Sequence, residues 1–112
     1  DTPAFKKMPH ETADSLKIWY DSYKYPNPFS PSSSLKPFFI EVPSHCKLKI
    51  SIYHQEIFLR TLLNCEIQEG VYYLSLRTLN YTKFYESGTY TLEVDDGNKI
   101  LKMEFSFVYN KF

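Results

Sequence analysis

The sequence predicts an all-β domain, an antiparallel β-sandwich of about seven strands. Three observations predict it. Apolar residues recur with a period of two from Phe38 to Phe107, the spacing of a strand that buries one face. The aromatic content is high, with ten Tyr, nine Phe and one Trp, side chains that suit a pleated, half-buried surface. Glycine is scarce, at three residues in 112, and only Ala4 and Ala13 are alanines, which disfavours close helix packing and phosphate-cradling loops.

Residues 1–13 are polar, contain Pro3 and Pro9, and read as a mobile arm. In residues 14–24, Leu16, Ile18 and Tyr20 alternate like a strand, whereas Leu16, Trp19, Tyr20 and Tyr23 trace a helical face behind an Asp14 cap. The clustering of Ile18, Trp19, Tyr20 and Tyr23, with Tyr25 just beyond, favours the strand. Pro26, Pro28 and Pro31 then remove three backbone donors and hold the chain extended. A serine-rich loop follows. The domain division is therefore residues 1–24, an arm with an additional strand, and 25–112, the sandwich.

Phe38, Ile40 and Val42 alternate with Phe39 and Glu41, and Pro43-Ser44 ends that strand. Leu48, Ile50 and Ile52 alternate with Lys47, Lys49 and Ser51, giving one wet face. Ile57 to Leu63 follows after a short link. With Gln55-Glu56 as a two-residue loop, Ile52 faces Leu59, Ile50 faces Thr61, Leu48 faces Leu63, and Cys46 faces Cys65. Gln-Glu is poor chemistry for a primed turn, so a longer loop or a link between sheets is the alternative. Tyr72, Leu74 and Leu76 alternate after Gly70, and residues 77–87 form a long polar and aromatic connection. Tyr90, Leu92 and Val94 form a strand, Asp95-Asp96-Gly97-Asn98 a turn, and Leu101, Met103, Phe105 and Phe107 the last strand. Short strands with turn signals about every ten residues are the pattern of an immunoglobulin/fibronectin-III-like sandwich.

A length of 112 residues suits one domain with its own core. The 13 basic and 13 acidic side chains cancel, so nothing marks a nucleic-acid partner or an anionic membrane surface. No apolar run is long enough for a transmembrane helix. The chain opens on Asp1 rather than Met, as expected after removal of a leader or from a cut piece.

Chemistry-bearing motifs are sparse. A Cys46–Cys65 disulfide would staple the open end of the hairpin and fit an oxidising, extracytoplasmic location; two separate buried thiols are the alternative. His10, His45 and His54 form no ligand pair, and His45 and Cys46 point to opposite faces of a strand. Asp95 and Asp96 read as turn residues rather than calcium ligands. Glu41, Glu66, Glu93 and Glu104 fall on outward positions or loops, with no acid–base pairing. The sequence thus predicts no catalytic residue, no metal and no cofactor. The aromatic residues either cap the open ends of the sandwich or form a binding patch. The partner-binding candidates are Trp19, Tyr23, Phe29, Tyr81, Phe84, Tyr85 and Lys111. Asn80-Tyr81-Thr82 matches a glycosylation acceptor.

Tyr25-Pro26-Asn27-Pro28-Phe29, Lys47 to Tyr53, Leu59 to Leu63, Glu69-Gly70-Val71-Tyr72 and Ser87-Gly88-Thr89-Tyr90 occur in that order. Together with the Asp95-to-Asn98 turn, they resemble the C-terminal sorting domains of type IX secretion cargo and the related immunoglobulin-like domain of the flagellar hook-capping protein. The resemblance spans residues 25–108. It departs at His54, where the family has Asp, at Gln55-Glu56, where the family has Gly, and at the ending, which carries a single Lys111. Small secreted immunoglobulin-like proteins of Bacteroidetes are similar too. The resemblance implies a non-enzymatic secreted or cell-surface binding module. As a sorting domain, it would dock on a translocon partner through its last hairpin, residues 89–108, by β-addition. As a stand-alone surface or envelope protein, it would bind a glycan or a protein through aromatic loops.

Overall fold

A computed structural model describes residues 5–9, 11–20, 37–75 and 88–107. They form eight strands: β1 (Phe5–Lys7), β2 (Lys17–Trp19), β3 (Pro37–Val42), β4 (Cys46–His54), β5 (Ile57–Ile67), β6 (Gly70–Ser75), β7 (Gly88–Asp95) and β8 (Ile100–Phe107). All pairings are antiparallel. The first sheet has the order β1-β6-β3-β2 and the second β5-β4-β7-β8.

One apolar core lies between the sheets. Phe38, Ile40 and Val42 enter it from β3, Leu48, Ile50 and Ile52 from β4, and Tyr90, Leu92 and Val94 from β7, the alternate residues that the two-residue period marks. Phe38 of the first sheet meets Phe105 of the second with ring centroids 5.1 Å apart. Leu16, just before β2, is buried as well.

The N-terminal residues are more ordered in pairing than an arm. Strand β1 sits beside β6, with Phe5 opposite Leu74, and the Phe5 ring stacks on Tyr72 at 4.8 Å. Residues 17–19 take the strand rather than the helical alternative, with Ile18 opposite Ile40. The first sheet therefore needs residues on both sides of position 25. Leu76 and residues 77–87 lie outside the described residues.

The β4–β5 hairpin corrects the expected register. Gln55 and Glu56 do form a two-residue loop, both at positive φ (49° and 71°), the backbone of a primed turn. A non-glycine residue held there costs about 1–2 kcal/mol. The amide of Gln55 donates to the Thr89 carbonyl at 3.0 Å, which ties the tip to β7. Beyond the turn the register shifts twice, leaving Leu59 and Leu62 without direct partners. As a result Ile52 faces Arg60, Ile50 faces Leu63, Leu48 faces Cys65, and Cys46 faces Ile67. The cause lies in the run Leu62-Leu63. A regular strand turns neighbours to opposite faces, whereas a bulge re-aims one of them. Here Leu62 is buried, and Leu59, Leu63 and Ile67 also pack against the core.

At the β7–β8 turn, the Asp96 carboxylate accepts the amides of Asn98 and Lys99 at 2.8 and 2.7 Å, and Asp95 accepts that of Gly97 at 2.8 Å. These carboxylates thus serve the turn's own backbone. Strand β2 lies alongside β8, where the edges of the two sheets approach.

Candidate functional site

Of the sequence-predicted binding residues, Trp19 is described, whereas Tyr23, Phe29, Tyr81, Phe84, Tyr85 and Lys111 lie outside the described residues. Trp19 ends β2, on the outer face of the first sheet. Its ring stacks on Phe39 with centroids 4.3 Å apart and planes 16° from parallel. Its indole Nε1 donates to Glu41 Oε2 at 2.9 Å. Strand register sets these contacts, because Trp19 faces Phe39 and Lys17 faces Glu41. Phe39 in turn faces Tyr73, and Tyr73 faces Lys6. A row of three aromatic residues therefore crosses β2, β3 and β6. Trp19 is 40% exposed, yet stacking and the hydrogen bond fix its orientation. Beside it, at the seam with β8, lies a depression of about 550 Å³ bordered by Leu16, Lys17, Ile18, Glu41, Leu101 and Lys102.

The outer face of the second sheet holds another depression, of about 610 Å³, lined by Tyr53, Glu56, Thr91, Glu93, Lys102 and Glu104. Lys102 Nζ is 3.8 Å from Glu93 Oε2, and the Tyr53 hydroxyl donates to Glu93 Oε1 at 3.5 Å. Burial, then the nearby Glu93 charge and this hydrogen bond, push the Tyr53 phenol above its ordinary range. Phe58 packs edge-on against Tyr53 at 5.7 Å. Sequence reasoning placed Glu93 and Glu104 outward but gave Tyr53 no role. The available signal was parity: Tyr53 continues the Lys47, Lys49, Ser51 series of the outer face, where Lys47 and Lys49 are exposed as expected but Ser51 is buried.

The two cysteines share a face but are offset along the strands. Residues on such a diagonal have Cα atoms about 7–8 Å apart, whereas a disulfide needs about 7 Å or less. Both are free thiols, Cys46 half-buried and Cys65 exposed. Desolvation, with Asp96 and Glu66 adding negative charge, pushes the Cys46 thiol up. Less thiolate is then present at a given pH, so Cys46 reacts more slowly. Iodoacetamide at pH 8 followed by peptide mass spectrometry is expected to label Cys65 well before Cys46. Equal rates, or a mass already two protons short before labelling, would contradict this geometry.

His45 Nε2 lies 3.0 Å from Glu66 Oε1 on an exposed surface, and His54 stacks on Tyr90 at 4.5 Å. Among the described residues no three His, Cys, Asp or Glu side chains gather as a metal site. None of the described residues belongs to a helix long and apolar enough to cross a membrane. No family model, curated protein or solved structure matches this chain.

Proposed function

We propose that this chain is a non-enzymatic binding module of the cell exterior, secreted or held at the surface, built on an immunoglobulin/fibronectin-III-like sandwich. The strand order is compatible with that topology. In that topology β2, β3 and β6 would correspond to A, B and E, and β5, β4, β7 and β8 to C′, C, F and G. Strand β1 is an addition beside E. The observation that carries the binding reading is Trp19. A half-exposed ring held in advance by a stacked neighbour and a hydrogen bond loses little freedom on contact, which favours its use as an anchor.

Two forms of the reading differ in partner. In the first, the module is a type IX sorting domain recognised by a translocon component; residues 25–108 support this through their resemblance alone. Strand β8 ends its sheet, with β7 as its paired neighbour among the described residues, so its outer edge is the one that a partner would extend by β-addition. In the second, a stand-alone surface protein binds a glycan, and the exposed Trp19 ring with the adjacent Glu41 carboxylate favours that form. A flat aromatic face suits the apolar side of a sugar ring, and a carboxylate suits its hydroxyls.

Trp19 is the single tryptophan of the chain, so its fluorescence reports directly on the surface. The whole chain and Trp19→Ala are compared for retention on immobilised surface polysaccharides and on intact cells. Fluorescence of the unmodified chain is followed in parallel. Retention lost in Trp19→Ala with an unchanged melting temperature supports the module. Retention indifferent to Trp19, or turnover of a panel substrate, overturns it. Export of a reporter fused to all 112 residues in a type IX strain separates the first form from the second.

A further inference from the structure

On the second sheet, away from Trp19, we propose a docking surface for a basic, extended segment of a partner protein, formed by the tip of the β4–β5 hairpin and the groove beside it. This inference does not rest on the Trp19 reading. Phe58, at the tip, is 53% exposed and lies opposite Tyr53, on the groove's face of the sheet. It is one of the four large apolar side chains left in solvent among the described residues; its neighbour Ile57 lies opposite His54, on the other face. Beside Phe58 runs the groove of Tyr53, Glu56, Thr91, Glu93, Lys102 and Glu104. It holds three carboxylates and one ammonium, a formal charge of −2, in a chain whose total formal charge is zero. Among the described residues Lys102 pairs with Glu93, at 3.8 Å and with the Lys102 side chain largely in solvent, a weak pairing.

Strand pairing arranges these residues in order. Phe58 faces Tyr53, Tyr53 faces Thr91, and Thr91 faces Glu104, so one row runs across β5, β4, β7 and β8 from apolar to acidic. The next row carries Ser51, Glu93 and Lys102. Three gaps between neighbouring strands span about 14 Å, the length of roughly four extended residues. The surface therefore fits a segment with an apolar side chain on Phe58 and Tyr53 and a Lys or Arg about four residues away, over Glu93 and Glu104. Arg gains most there, since its planar fork can meet a carboxylate bidentately. The segment lies across the face of the sheet. It does not extend β5, whose two register shifts interrupt a regular edge.

The probe is a fluorescein-labelled synthetic peptide with Leu and Arg four positions apart in a Thr/Ser background, followed by anisotropy with the whole chain. Three controls accompany it: Arg replaced by Glu, Leu replaced by Ser, and Leu and Arg made adjacent. The Leu–Arg peptide is expected to bind, to weaken as salt rises, and to exceed each control. Glu93→Gln with Glu104→Gln should weaken it about tenfold, Phe58→Ser should weaken it as well, and Lys102→Ala should tighten it. Saturation by the Glu peptide to the same degree, affinity unaffected by the Gln pair, or no binding at millimolar peptide by the folded chain overturns the proposal. So does loss of binding in Trp19→Ala alone. Because the Gln pair keeps size and shape, it remains informative even if Phe58→Ser unfolds.

Discussion

Phe38→Ala is expected to be the most damaging single change, lowering the unfolding free energy by about 3–5 kcal/mol. Phe38 is 1% exposed and touches aromatic rings on both sides, Phe105 at 5.1 Å and Tyr20 at 5.7 Å. Phe105 in turn stacks with Tyr90 at 5.8 Å. Truncation removes the ring's transfer free energy and leaves a cavity between two sheets that close only partly around it. A domain of this size is stable by about 5–15 kcal/mol in all, so the variant should sit near the edge of folding. Urea denaturation followed by far-ultraviolet circular dichroism measures the loss. A change below about 1 kcal/mol would mean that the sheets do not pack on each other through Phe38.

Gly88→Ala is expected to cost about 1–3 kcal/mol. Gly88 opens β7 at φ +149°, and a Cβ there would lie 2.8 Å from the His54 ring and 3.2 Å from the Gln55 side chain. His54 is stacked on Tyr90, so moving it disturbs the wall of the core. Gly97→Ala is the matched control. Its φ is +94°, but nothing lies within 4 Å of the added carbon, so only backbone strain remains. Comparison of the two denaturation midpoints separates strain from collision. If Gly97→Ala proved the more harmful, the close approach at Gly88 would be wrong.

Much of the fold was legible because burial on one face imposes a period of two. That period located β3, β4, β7 and β8 and chose their inward residues. It failed at β5. Leu62-Leu63 places two apolar neighbours where the rule admits one, and the conflict is resolved by register shifts that no local signal fixes. The error carried into the cysteines, whose facing geometry depended on an unbroken ladder. Strand β1 was hidden for another reason. Phe5-Lys6-Lys7 is too short to show a period, and its place beside β6 comes from tertiary pairing. Of the candidate surfaces, Trp19 stood out as the lone tryptophan. The Tyr53 groove did not, because its lining comes from three strands and a turn distant in sequence, joined only once register is known.

The borders of the two sheets carry a consequence for behaviour at high concentration. Strands β1 and β2 are three residues each and β5 is interrupted twice, known ways to deny a neighbouring molecule a straight row of unsatisfied peptide groups. Strand β8, eight residues long, ends its sheet with β7 as its hydrogen-bonded neighbour among the described residues. In a chain so rich in tyrosine and phenylalanine, edge-to-edge association is therefore expected to start at β8 rather than at the other three borders.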